Sequence, residues 1–466
     1  MKRDITKKLL AWKESQERMP LLLTGVRQCG KTYIMKDLGE TAFNGDYAYF
    51  NFEKNSALAE IFSYDLDPTR IVKELGLIHG TAIVPGKTLL IFDEIQSCIP
   101  AITSLKYFCE EMPDLHVIGA GSLLGVTLNA VSLSFPVGKV DRLQMYPLSF
   151  KEFLEAQNPK TLDWFESRYV CGEPISDAIS APLATALKLY YIIGGMPKAV
   201  ETWLRTSDLE QVEHIQDNIL KDYQDDFTKH APKNDVPKLH LIWDSIPEQL
   251  AKENNKFVFS HVKQGKRAAE LEDALKWLED AGLAYKLKLV NDIGMPLSHR
   301  ASSTNFKLYM GDVGLLRRKA GVSAKTIMQG GADYVEFKGA LTENYVMQQL
   351  LALDKKPYFW RSNNQAELDF LFEEAGNAIP VEVKSENNTK AKSYAVFCKK
   401  YNPKFGFITS LRNVGDHEVG VTHTYSLPLY LLWKMDDWIS KETSASSNFN
   451  LADYISALTD LDNQMK

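Results

Sequence analysis

Cysteine is scarce in this sequence: Cys29, Cys98, Cys109, Cys171 and Cys398 are scattered through 466 residues, odd in number. That spacing excludes a disulfide framework and the paired pattern of a zinc site, and suits reduced thiols in a cytoplasmic protein. Long hydrophobic runs are missing too. Stretches such as residues 427–433 fall far short of the roughly 18 residues that span a bilayer, and Met1-Lys2-Arg3-Asp4 leads into polar residues rather than a signal core. No membrane partner is expected. Neither sign of charge dominates, with 54 Lys and Arg against 60 Asp and Glu, a net of -6. A nucleic-acid site would therefore be a local patch. Proline and glycine, 19 and 27, are too few for collagen or low complexity.

What is present is the usage of a folded chain, 45% hydrophobic and 24% charged, long enough for about three domains. Residues 5–18 predict a short amphipathic helix. Met19-Pro20-Leu21-Leu22-Leu23-Thr24 predicts a buried strand stopped by Gly25, with a helix resuming over residues 33–38. Apolar segments at 47–52, 88–92 and 116–119 alternate with helix-length stretches, the pattern of a mostly parallel sheet covered on both faces. Beyond Pro147 the pattern turns helical, at 150–156, 181–190 and 209–227. A helix over 268–281, stopped by Gly282, is followed by the alternating run 283–289 and a turn at 291–294, the outline of a winged helix. From about Gly330 a third, α/β unit follows, with a helix at 341–353 and strands at 357–361, 367–373 and 379–384. Residues 441–447 are small and polar and predict a connector to a terminal helix. The expected domains are 1–155, 156–328, 329–435 and 436–466.

Gly25-Val26-Arg27-Gln28-Cys29-Gly30-Lys31-Thr32 fits G-x-x-x-x-G-K-[ST] between a strand and a helix. Its glycines let backbone N–H groups and the helix N-terminus face the β- and γ-phosphates of ATP, Lys31 adds a charge there, and the Thr32 hydroxyl ligates Mg²⁺. Thr88-Leu89-Leu90-Ile91-Phe92-Asp93-Glu94 predicts a buried strand ending in two carboxylates. Asp93 would hold the metal through water, and Glu94 would polarise the attacking water, which favours hydrolysis over transfer to another acceptor.

Residues 22–32, with Phe92-Asp93-Glu94-Ile95-Gln96, resemble a prokaryotic AAA-type (AAA+) P-loop ATPase family. Gly119-Ala120-Gly121-Ser122, Tyr146-Pro147-Leu148-Ser149-Phe150-Lys151-Glu152-Phe153 and Gly194-Gly195-Met196-Pro197 resemble it as well. The resemblance implies that Ser122 is a sensor touching the γ-phosphate or the attacking water. Gly138-Lys139 stands where that family commonly shows Gly-Arg, and Arg142 lies nearby, so no arginine finger is assigned and the oligomeric state stays open.

In the third unit Gly339-Ala340-Leu341-Thr342-Glu343-Asn344 is expected to open a helix, with Glu367-Leu368-Asp369-Phe370 and Val381-Glu382-Val383-Lys384 on strands. Side chains at i and i+2 share a strand face. Asp369 and Glu382, with Glu343 as a further ligand, would bind Mg²⁺ while Lys384 stabilises a hydroxide attacking phosphorus. This spacing resembles the PD-(D/E)XK restriction-endonuclease fold, and the same ATPase family generally ends in such a domain. Lys390, Lys392, Lys399, Lys400 and Lys404 follow it and suit either a phosphate backbone or solvent. His261, Lys263, Lys266 and Arg267 precede the winged-helix segment, whose balanced charge favours packing no less than DNA contact.

The expectation is therefore an α/β, multidomain ATPase: a P-loop AAA-type parallel sheet core, a helical and winged-helix middle and a restriction-endonuclease-like end. It hydrolyses Mg·ATP and couples nucleotide state to the other two units, with DNA and protein partners both open. The alternative is an ATP-dependent binding switch whose last domain is a platform without chemistry.

Overall fold

The computed structural model describes residues 1–130, 136–252, 256–262, 268–329, 332–362, 366–386 and 391–444. The first sheet contains β1 (Leu21–Gly25), β2 (Tyr47–Asn51), β3 (Leu89–Asp93), β4 (His116–Ala120) and β5 (Asp141–Met145), in the order β2-β3-β4-β1-β5. Every pairing in it is parallel. Its central strands are apolar at successive positions because both faces are covered. Leu21 and Leu23 pack into one core, while Leu22, Leu90, Phe92 and Val117 pack into the other, beside Phe52, Phe62 and Phe108. Helices Ile5–Glu14, Lys31–Ala42 and Ile99–Glu111 cover these faces. The carboxyl ends of β1, β3 and β4 lie side by side, the edge where open α/β sheets bind ligands.

The middle is helical, with Asp177–Ile193, Pro197–Thr206, Leu209–His230 and Val236–Ala251 as its main helices. Helix Ala268–Asp280 follows, then β6 (Ala284–Val290) and its antiparallel partner β7 (Ala301–Met310). These strands do not form a free-standing wing. β6 also pairs in parallel with β8 (Tyr358–Arg361), so the hairpin is the edge of an eight-stranded sheet. β9 (Glu367–Glu374), β10 (Asn377–Val383), β11 (Phe405–Ser410), β12 (Gly415–Val419) and β13 (Thr422–Pro428) complete it, in the order β12-β13-β11-β10-β9-β8-β6-β7. The sheet thus continues across the boundary expected at 328/329. The sequence could not show this, because strand pairing is a long-range property and each strand's own pattern is the same with either neighbour.

Two local expectations change. Residues 339–344 do not open a helix but lie inside Ala332–Ala352. The roughly 1 kcal/mol that a helical glycine costs is outweighed by packing of the residues after it, with Leu341, Tyr345 and Val346 fully buried. Lys441 to Ser444 belong to helix Met435–Ser444 rather than to a connector, since Met435, Trp438 and Ile439 anchor that helix in the core. The terminal helix expected beyond them, with residues 445–447, lies outside the described residues. So do Lys263, Lys266, Arg267 and Lys390. His261 falls on the short helix Phe259–Val262, and its side chain is not among those described. Among the described residues no helix is long and apolar enough to cross a membrane.

Candidate functional site

The loop after β1 turns back on itself through three residues of positive φ, Gly25 at 151°, Gln28 at 66° and Gly30 at 104°. A side chain at Gly25 would overlap the Met145 carbonyl on β5, so the first glycine is required by close approach as well as by dihedral. Gly30 then starts helix Lys31–Ala42, leaving the first N–H groups of the helix facing the loop. The Lys31 ammonium is buried and donates to the Gly25 and Val26 carbonyls at 2.7 and 3.0 Å, across the loop's mouth. Cys29, within the loop, is fully buried.

Asp93 closes β3 and is itself buried. Its Oδ2 accepts from Thr32 Oγ1 at 2.9 Å, Tyr49 Oη at 2.6 Å and Asn51 Nδ2 at 3.3 Å. Burial, then the bond to Asp93, pushes the Tyr49 phenol up to about 12, so it remains a donor. Thr32 and Asp93 together present hard oxygen ligands of the kind Mg²⁺ takes. Glu94, next along, has left-handed φ of 50°. Its Oε2 accepts from Gln96 Nε2 at 2.6 Å and from the Ser122 N–H and hydroxyl, each at 3.3 Å. Thus Lys31, Thr32, Asp93, Glu94 and Ser122 come together at one sheet edge. Lys139 pairs with Glu110 at 3.2 Å, and Arg142 lies exposed on β5.

The loop's remaining side chains point elsewhere. Arg27 pairs with Asp226, Gln28 donates to Asp222 at 2.7 Å, and Tyr223 donates its hydroxyl to the Arg27 carbonyl at 3.1 Å. All three partners sit on helix Leu209–His230, so the phosphate loop is strapped to the middle region. From the other side Arg3 reaches the Cys29 carbonyl at 3.0 Å, the Tyr146 carbonyl at 2.6 Å and Glu152 at 3.1 Å.

The C-terminal carboxylates also meet, around a residue absent from the sequence-based expectation. Lys307, on β7, projects its buried ammonium to Glu367 at 2.7 Å and Glu343 at 3.3 Å. Burial pushes this lysine down, and Glu343, Glu367 and Asp369 more than offset it, leaving its pKa raised. Tyr309 donates to Glu343 at 2.7 Å, the Val383 N–H to Asp369 at 2.7 Å, and Lys384 to Glu382 at 2.7 Å. Burial first, then Glu382 and Glu343, raises the Asp369 carboxyl well above its usual range. Among the described residues no three His, Cys, Asp or Glu side chains are grouped to hold a metal ion. Two ammonium groups, of Lys307 and Lys384, already supply positive charge beside Glu343, Asp369 and Glu382, while one buried oxygen of Glu382 has no hydrogen-bond partner.

Residues 17–154 match the family model described as AAA domain. The first unit is an AAA-type P-loop fold. Residues 184–326 and 338–430 match two domains of unknown function, DUF8612 and DUF4143; their strands share the eight-stranded sheet. An uncharacterized protein of Methanocaldococcus jannaschii is 25% identical over 396 residues, covering 80% of this chain and 78% of its own. The solved structure of a Walker-type ATPase of Pyrococcus abyssi is 14% identical, covering 68% of this chain and 95% of its own at a TM-score of 0.41. The Aeropyrum pernix ORC2 protein, solved in ADPNP-ADP complexes, is 15% identical with coverages of 70% and 91% at a TM-score of 0.32.

Sequence reasoning missed Arg3, Tyr49, Asn51, the strap on helix Leu209–His230 and Lys307. The alternation Tyr47-Ala48-Tyr49-Phe50-Asn51 does carry a signal, since polar tips at i and i+2 on a buried strand call for a partner.

Proposed function

We propose that the chain binds ATP at Gly25–Thr32 and hydrolyses it. The observation that carries this reading is the Thr32–Asp93 hydrogen bond, with Glu94 and Ser122 beside it at the same sheet edge. On this reading backbone N–H groups of Val26, Arg27, Gln28, Cys29 and Gly30 hold the phosphates, and Lys31 leaves the loop carbonyls to pair with the β- and γ-oxygens. Thr32 and Asp93 would hold Mg²⁺, which supplies charge on the phosphate oxygens when bound. Glu94 orients a water and takes a share of its proton while the γ-phosphorus bond to the bridging oxygen breaks, giving ADP and phosphate. Ser122 steadies the Glu94 carboxylate.

Nucleotide state reaches the rest of the chain through Arg27 and Gln28, whose partners lie on helix Leu209–His230. Residues 1–155 are then the motor and 156–328 and 329–435 the responding units. A second reading concerns the last of these: Lys307 among the carboxylates favours a binding platform without chemistry over a nuclease. The platform's partner is DNA or protein.

Steady-state hydrolysis by wild type, Lys31→Ala and Glu94→Gln, with and without single- and double-stranded DNA, tests the whole. Both variants should lose about a hundredfold or more in turnover, with Glu94→Gln still retaining ATP. Equal hydrolysis by wild type and Glu94→Gln would sink the role of Glu94. Stimulation by DNA that vanishes in both variants makes this a DNA-coupled enzyme; indifference to DNA points to a protein partner.

A further inference from the structure

The Glu94 carboxylate is held by one oxygen. Three donors converge on Oε2, namely Gln96 Nε2 and the N–H and hydroxyl of Ser122, while no hydrogen bond among the described residues ends on Oε1. Gln96 makes the shortest of the three, 2.6 Å. A carboxylate only accepts, so the amide nitrogen must be the group that faces it, which fixes the amide's orientation.

Gln96 is in turn held by what Gly121 lacks. It lies in the short 3-10 turn Ile95–Ser97 after β3, and its amide occupies the space over Gly121, after β4, where any Cβ would overlap Gln96 Oε1. That Oε1 is buried and has no protein partner. The glycine therefore admits the amide, and the amide fixes the carboxylate.

We infer that Gln96 is a positioning residue for water activation: with Ser122 it pins Oε2 of Glu94, so that Oε1 is the oxygen presented to the attacking water. This rests on the reading that Glu94 polarises that water. A carboxylate free to rotate would spend most of its time misdirected, and orientation is lost from turnover rather than from nucleotide binding. Gln96 touches neither nucleotide nor water in this scheme and acts through Glu94.

Gln96→Glu is nearly isosteric, keeps the packing over Gly121 and removes the donor. Its kinetics should be measured at pH 8 beside Gln96→Ala, Gly121→Ala and Glu94→Gln, with ATP affinity measured separately. At pH 8 each Gln96 variant should lose about ten- to a hundredfold in kcat with KM for ATP nearly unchanged. Gln96→Glu should lose no less than Gln96→Ala, because a carboxylate cannot donate to Glu94. Gly121→Ala should match Gln96→Ala by displacing the amide. Wild-type turnover by Gln96→Glu at pH 8, or a loss carried wholly by KM, overturns the inference. Should Glu94→Gln itself turn over normally, the underlying reading of Glu94 fails; an inactive Glu94→Gln beside a normal Gln96→Glu removes Gln96 alone.

Discussion

Arg3 carries three acceptors from three segments: the Cys29 carbonyl in the phosphate loop, the Tyr146 carbonyl after β5, and Glu152 in the first turn of helix Phe150–Gln157. Both side chains of the ion pair are more than nine-tenths buried, at 6% and 8% exposure. Removing one partner of such a pair leaves a buried charge, so Arg3→Ala should destabilise the protein by about 3 kcal/mol, read as a lowered denaturant midpoint. Arg3→Lys should recover only part of that, since an ammonium cannot reproduce the planar fork that reaches three acceptors. Recovery in full would mean that charge alone matters. Arg3 also marks the limit of what the sequence discloses at this scale. Lys31, Thr32, Asp93 and Glu94 are legible because a strand end and a tight loop fix each of them locally. Arg3 meets Glu152 across 149 positions, and no local pattern announces that pairing. Gln96 stands within a recognisable segment, yet its role depends on the space above Gly121.

The junction of elements at Asp312 gives a pH dependence. Its carboxylate accepts from the Gly195 N–H at 2.6 Å and caps helix Val313–Lys319 through the Leu315 N–H at 3.0 Å. Gly194, at φ 75°, has room for no side chain, because a Cβ would overlap this same carboxylate. Burial raises the Asp312 pKa from 3.8 to about 6, against the N–H donors of Gly195, Leu315 and Gly314. A raised acid binds its proton more tightly in the folded state, so its contribution to stability falls as pH rises from 3.8 to about 6. The size is on the order of 3 kcal/mol. Relative to Asp312→Asn, which does not titrate, wild type should lose stability by that amount between about pH 4 and pH 7. A pH-independent difference in their midpoints would refute the assignment. Elements themselves were largely readable, since apolar periodicity placed β1 to β4 and the helix from Leu209 within a few residues. The Gly194-Gly195-Met196-Pro197 turn was readable only as a resemblance. Gly194 answers to Asp312, more than a hundred residues later, and Gly195 to the Leu148 backbone.

At the scale of the molecule, the eight-stranded sheet decides what the C-terminal carboxylates can be. Adjacency of Asp369 and Glu382 was visible from strand alternation, and it invited a metal. Lys307 arrives from a hairpin assigned to another domain, because β6 extends the sheet at β8 and carries β7 with it. Its ammonium then lies among Glu343, Glu367 and Asp369, and the cluster holds the hairpin to helix Ala332–Ala352 and β9. Lys307→Gln keeps most of the side chain's bulk and removes the charge. Losing the one buried ammonium from among these partly buried carboxylates should cost about 3 kcal/mol at pH 8. Lowering the pH lets Asp369, whose carboxyl is already raised by burial and its acidic neighbours, take up a proton, so the deficit against wild type should shrink toward pH 5. Paired denaturation curves at the two pH values decide the matter. A deficit that does not change with pH would mean that Lys307 contributes packing alone.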